Sequence, residues 1–124
     1  MTFVRFAPLL LLALPAAAPA QSMPVSTFLA KAEALKSKGP LALLSSDLGV
    51  LKREVGAAIV SLRDERLAAA AAGHKPAYCP PGKSSMNSNE LLAAMRAIPA
   101  VDRPRTDVRF ALKAMLIKKY PCGA

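Results

Sequence analysis

Tryptophan is absent from this chain, histidine occurs once, cysteine twice, and eight acidic residues stand against seventeen Lys and Arg. Each scarcity removes a class of function. One imidazole, His74, and two distant thiols do not make the cluster of about four ligands that a zinc site needs. Cys79 and Cys122 are far from C-x-x-C spacing, which excludes a dithiol redox motif. Ser84, Ser85 and Ser88 lie outside any G-x-S-x-G elbow, and no glycine loop is built to cradle phosphate. His74 follows a glycine at an expected helix end, where histidines commonly neighbour the last carbonyls. No nucleophile or carboxylate motif is set against it. Glu54, Asp64 and Glu65 alternate with Lys52, Arg53, Arg63 and Arg66 in the spacing of solvated helix pairs, not of an acid/base dyad. The expectation is a protein that is not an enzyme and uses no metal or cofactor.

The N-terminus does have a pattern. A start with one positive side chain, Arg5, leads into an apolar run from Phe6 to Leu14. Small residues then end in Ala18-Pro19-Ala20 before the polar Gln21 and Ser22. These are the three parts of a secretory signal, and the apolar run is too short for a membrane span of about 20 residues. The reading is a signal peptide over residues 1–20 and a helical domain over residues 21–124. The product is expected to be periplasmic or secreted, with no transmembrane segment after cleavage.

Removing the leader leaves 104 residues, enough for one domain. Large apolar side chains are few there, so a covalent link carries more weight. In an exported chain an even cysteine count favours a disulfide, Cys79–Cys122; a bridge between molecules is the competing arrangement. Without Arg5 the net charge is near +8, which favours anionic partners and says nothing about fold. Nucleic acid is not expected, because no aromatic residues interleave with the basic ones as a stacking platform requires.

Apolar spacing predicts four main helices. Phe28, Leu29, Ala32 and Leu35 mark the first, over Thr27 to Lys38, with Ser26 as cap and Gly39-Pro40 as stop. The longest, Asp47 to Ala72, carries Leu48, Leu51, Val55, Ala58, Ile59 and Leu62 in one sector. Arg66 interrupts that sector, so tight packing is expected to end near Leu62. Gly56, with Ala57 and Ala58, makes a thin spot where another helix can approach. Asn87 and Glu90 form a capping-box pattern before a third helix marked by Leu91, Met95 and Ile98. The fourth is marked by Val108, Ala111, Leu112, Met115 and Leu116, with Thr106 as candidate cap. The expected fold class is all-α, a small bundle of about four helices with one disulfide.

Five cations form a candidate partner-binding patch: Arg96, Arg103, Arg105, Arg109 and Lys113. Arginine suits carboxylate recognition because its planar fork donates two hydrogen bonds. Asp102 and Asp107 sit among them and are placed to neutralise part of the patch.

The C-terminal half, with Tyr78-Cys79-Pro80-Pro81, a helix from Leu91 to Ile98 followed by Pro99, and the closing Tyr120-Pro121-Cys122, resembles the small exported immunity proteins of the Tai/Rap type. The resemblance covers about residues 78–122, and its matched positions, Cys79, Pro80, Pro121 and Cys122, are structural. It implies an all-helical periplasmic antidote that binds a peptidoglycan-cutting amidase toxin of a type VI secretion system and blocks its active site. The leading expectation is therefore a periplasmic protein-binding module, an immunity-like inhibitor occluding a cell-wall hydrolase. The alternative is a structural or accessory envelope protein whose basic surface meets anionic polymers or lipid headgroups. Oligomeric state is not legible in the sequence.

Overall fold

The computed structural model describes residues 22–123; the expected signal peptide lies outside the described residues. Four helices account for most of them: α1 (Val25–Ser37), α2 (Ser46–Ala71), α3 (Ser88–Arg96) and α4 (Val108–Lys119). Two short 3-10 turns, Gly39–Leu44 and Arg103–Arg105, join them, and no strand occurs among the described residues. The all-α expectation holds. None of the described helices is long and apolar enough to cross a membrane.

The 26-residue α2 is the spine. One side packs on α4 and the other on α1, while α3 bridges α1 and α4. The shared core draws Val25, Phe28 and Leu29 from α1, Leu51, Ala58 and Leu62 from α2, Leu91 and Met95 from α3, and Val108, Ala111 and Leu112 from α4. Leu62, Met95 and Leu112 are almost completely buried. Each stabilises the fold by about 1.5–3 kcal/mol relative to an exposed side chain.

Local chemistry sets the boundaries, and two differ from expectation. α1 begins at Val25, ahead of the expected Ser26 cap, because the chain is pinned there by a pair of backbone bonds. Val25 N–H donates to the Thr106 carbonyl and Val108 N–H to the Met23 carbonyl, both at 2.8 Å. At α4, Asp107 rather than Thr106 is the cap, its carboxylate accepting from Phe110 N–H at 2.7 Å. Thr106 is already engaged: its hydroxyl donates to the Asp102 carbonyl at 2.8 Å. The Asn87 cap acts as read: its Oδ1 accepts from Glu90 N–H at 2.8 Å. At the start of α2, Ser45 Oγ accepts from Asp47 N–H. Gly73, at φ +75°, ends α2 in a left-handed conformation that favours glycine.

Past Leu62 the tight packing of α2 stops, as its interrupted sector implies. Arg66 then lays its guanidinium over the ring of buried Tyr78, 5.9 Å from the centroid. Tyr78 anchors the proline-rich segment after α2. Next to it the Cys79–Cys122 disulfide ties that segment to the chain end, with Cα atoms 4.9 Å apart. Cys79 N–H also donates to the Tyr120 carbonyl at 2.8 Å.

Candidate functional site

The five expected partner-binding cations do not form one open patch. Arg96, at the end of α3, reaches across to Glu33 on α1 at 2.5 Å. The Arg103 guanidinium donates to the carbonyls of Ile98 and Arg96, at 2.9 and 2.8 Å, and so satisfies backbone at the end of α3. Arg105 pairs with Asp102 within its own turn. Arg109 and Lys113, one turn apart on α4, converge on Glu65 of α2. Each therefore has an internal partner, although all five sit at or near the surface. Asp102 neutralises part of the group as expected, whereas Asp107 caps α4.

Lys113 donates a hydrogen bond to Glu65 and, with Arg109, holds that carboxyl below its usual range against an opposing desolvation. On the other side of α4, Lys119 does the same for Glu90, whose carboxylate in turn raises the Lys119 amine. Glu54 has another role: its carboxylate accepts from Ser22 Oγ at 2.9 Å and Met23 N–H at 2.6 Å, fixing the start of the domain on α2. All eight acids of the chain thus have a partner within the fold. Nine of the sixteen described Lys and Arg have no acidic partner among the described residues, Lys36, Lys38, Lys52 and Arg53 among them. Those four lie between the end of α1 and the second turn of α2, and the other five, Arg103 of the expected patch included, are spread along the rest of the chain.

His74 is exposed, and its backbone N–H closes the end of α2 on the Ala69 carbonyl at 2.8 Å. No cluster of three or more His, Cys, Asp or Glu able to hold a metal occurs among the described residues.

A groove between α1, α2 and the start of α3 has a volume of about 550 Å³. Its floor is the outer surface of the core at Phe28, Leu35, Leu51 and Leu91, and Val55, Ile59, Met86 and Leu92 are among its walls. Lys52 is the one charged side chain lining it. Apolar walls with a single placed charge are the usual make-up of a binding cleft. The groove exists because none of the described residues covers this side of α2. Ile59, assigned to the buried sector, is 44% exposed as a result. Gly56 is exposed too, and a Cβ built on it meets nothing within 4 Å. The thin spot expected to receive a helix of this chain opens into the groove instead.

A second depression, between α3 and α4, is bordered by Arg105, Phe110 and Lys118, with the Phe110 ring 65% exposed. It takes in Arg105 of the expected patch. No protein-family model, curated protein or solved structure matches this chain.

Proposed function

We propose that this chain is an exported, non-enzymatic protein-binding module, an immunity-like inhibitor, whose α1–α2–α3 groove receives an acidic amphipathic helix of a cell-wall hydrolase. The observation that carries this reading is the groove itself: an open, apolar cleft of about 550 Å³ with Lys52 as its only charge. An apolar ridge at i, i+3/i+4 spacing is what such a cleft accepts from a partner helix. Acidic flanks on that helix meet Lys52 and Arg53, which have no acidic partner of their own among the described residues. The resemblance of the C-terminal cysteine frame to exported amidase-immunity proteins supports the same partner class. Binding would be stoichiometric, without turnover or cofactor, and would act by covering the enzyme's cleft.

The test is titration of purified peptidoglycan amidases with the protein, by calorimetry and by residual hydrolysis of cell walls, at low and high salt. A one-to-one complex that survives high salt and inhibits hydrolysis is expected, because apolar burial is not screened as surface charge is. Ile59→Glu places a carboxylate in the groove wall and is expected to abolish the complex while leaving the melting temperature in place. If no cell-wall hydrolase binds or is inhibited, or if Ile59→Glu inhibits as well as the parent, the reading fails.

A further inference from the structure

The Gly39–Leu44 turn breaks the rule that apolar side chains at a surface are scattered. Leu41, Leu43 and Leu44 are 65%, 78% and 84% exposed, three leucines within four residues. The fourth, Ala42, is partly buried and packs against the core, holding the turn in place. The turn is closed at both ends by backbone bonds, Leu41 N–H to the Lys38 carbonyl and Ser45 N–H to the Ala42 carbonyl. It is thus a formed structure that directs its leucines outward.

Its surroundings are cationic. Residues 34–53 contain Lys36, Lys38, Lys52 and Arg53 and a single acid, Asp47; the acids that flank this stretch are engaged elsewhere, Glu33 with Arg96 and Glu54 with Ser22 and Met23. Asp47 is already paired with Lys31 at 3.1 Å. Lys38 Nζ donates to Ser45 Oγ at 3.3 Å, which carries its charge across the base of the turn. Exposed leucines at a tip with lysines around the base match the cross-section of a lipid surface, acyl chains below and phosphates above. A protein groove would instead call for a continuous ridge, and a three-residue tip offers none.

We infer that the Gly39–Leu44 turn is a membrane-contact site, inserting Leu41, Leu43 and Leu44 into the interfacial region of an anionic bilayer, with Lys36 and Lys38 on the phosphates. The contact is peripheral and reversible, because three side chains bury far less apolar surface than an anchor does. It is independent of the groove and of what the groove binds.

The test is co-sedimentation of the full protein with vesicles of phosphatidylcholine alone and of phosphatidylcholine with phosphatidylglycerol. The parent and all variants carry the same N-terminus, so that differences report the turn alone. The parent is expected to sediment with the anionic vesicles and to be released by salt. L41S/L43S/L44S is expected to lower partitioning roughly tenfold or more, and K36A/K38A to lower it on anionic vesicles only. Ile59→Glu should sediment like the parent, which separates this site from the groove. The chain has no tryptophan, so Leu43→Trp supplies a clean second probe whose emission should shift to the blue when anionic vesicles are added. A parent that stays in the supernatant with both vesicle types overturns the inference, as does a triple-serine variant that sediments like the parent or an unshifted Leu43→Trp. Loss of hydrolase binding in the triple-serine variant, with vesicle binding intact, assigns the turn to a protein interface and also overturns it.

Discussion

The disulfide is where stability can be tested most directly. Replacing Cys79 and Cys122 together with alanine frees two points 43 residues apart in sequence. In the chain-entropy treatment, opening a loop of that length restores about 13 cal/mol/K to the unfolded chain, or about 4 kcal/mol at 25 °C. For a domain of this size, with an unfolding entropy of about 2 cal/mol/K per residue, this lowers the melting temperature by roughly 20 °C. The native state loses little else. Cys79 N–H keeps its bond to the Tyr120 carbonyl, and Tyr78 keeps its place beneath Arg66. Helix content of the variant at low temperature should therefore match the parent, with the loss confined to the thermal and denaturant midpoints. Circular dichroism melts of parent, double variant and reduced parent make the comparison. A double variant melting within a few degrees of the parent would refute the argument that the bridge makes a thin core durable.

Leu62→Ala empties the best-buried position of α2 and should cost about 3 kcal/mol in denaturant unfolding, against less than about 0.5 kcal/mol for the exposed Leu43→Ala. Asn87→Ala removes the cap of α3 and should cost about 1 kcal/mol, with amide exchange rising first at Glu90. Gly56→Ala should stabilise the protein by about 1 kcal/mol, because the position is helical and the added Cβ meets nothing within 4 Å. Gly56→Leu, filling the groove, should weaken hydrolase binding without loss of stability by calorimetry. Glu65 and Glu90 both have carboxyls held below their ordinary range by lysine partners. Their contribution is present above the unfolded carboxylate pKa of about 4.3 and disappears as pH falls through the lower folded values. Glu65 is exposed and Glu90 partly so, and solvent screening keeps the contribution small. Acid titration of the melting temperature should show a modest fall below about pH 4.5, lessened in Glu65→Gln.

What the sequence made legible is what local chemistry decides. The Asn87–Glu90 cap, the glycine stop at Gly73 and the apolar stripes of α1, α3 and α4 need only neighbours within a few residues. The cysteine pair was legible because only two cysteines exist to be joined. The misread features depend on distant chain. Thr106 looks as good a cap as Asp107 until Asp102 and Val25 are seen to use it. Arg109 and Lys113 look free because their partner, Glu65, lies 44 and 48 residues away, and Glu33 is 63 residues from Arg96. The groove's one signal was the thin spot at Gly56, which does not say whether a helix of this chain or an open cleft faces it. The groove is a side of α2 that α1, α3 and α4 leave uncovered, and periodicity cannot distinguish an apolar stripe facing a neighbour from one facing a cleft.

Two features remain that the fold does not require, and they point the same way. A glycine in the middle of a 26-residue helix costs about 1 kcal/mol relative to alanine, and no described residue packs close enough to Gly56 to demand it. Three leucines on a solvent-facing turn invite association that a purely structural loop would avoid. Natural chains depart from local consistency mainly where function is served. The groove and the turn both border the first half of α2: the turn ends just before its N-terminus and the groove runs along Leu48 to Ile59. A chain resting on a membrane through Leu41, Leu43 and Leu44 would have α2 fixed at its N-terminal end. The groove would then be held close to the lipid surface, and the disulfide-bonded end of the bundle further from it. Such an arrangement suits an inhibitor whose target works on the wall beside that membrane, because confinement to a surface raises encounter frequency without any gain in intrinsic affinity.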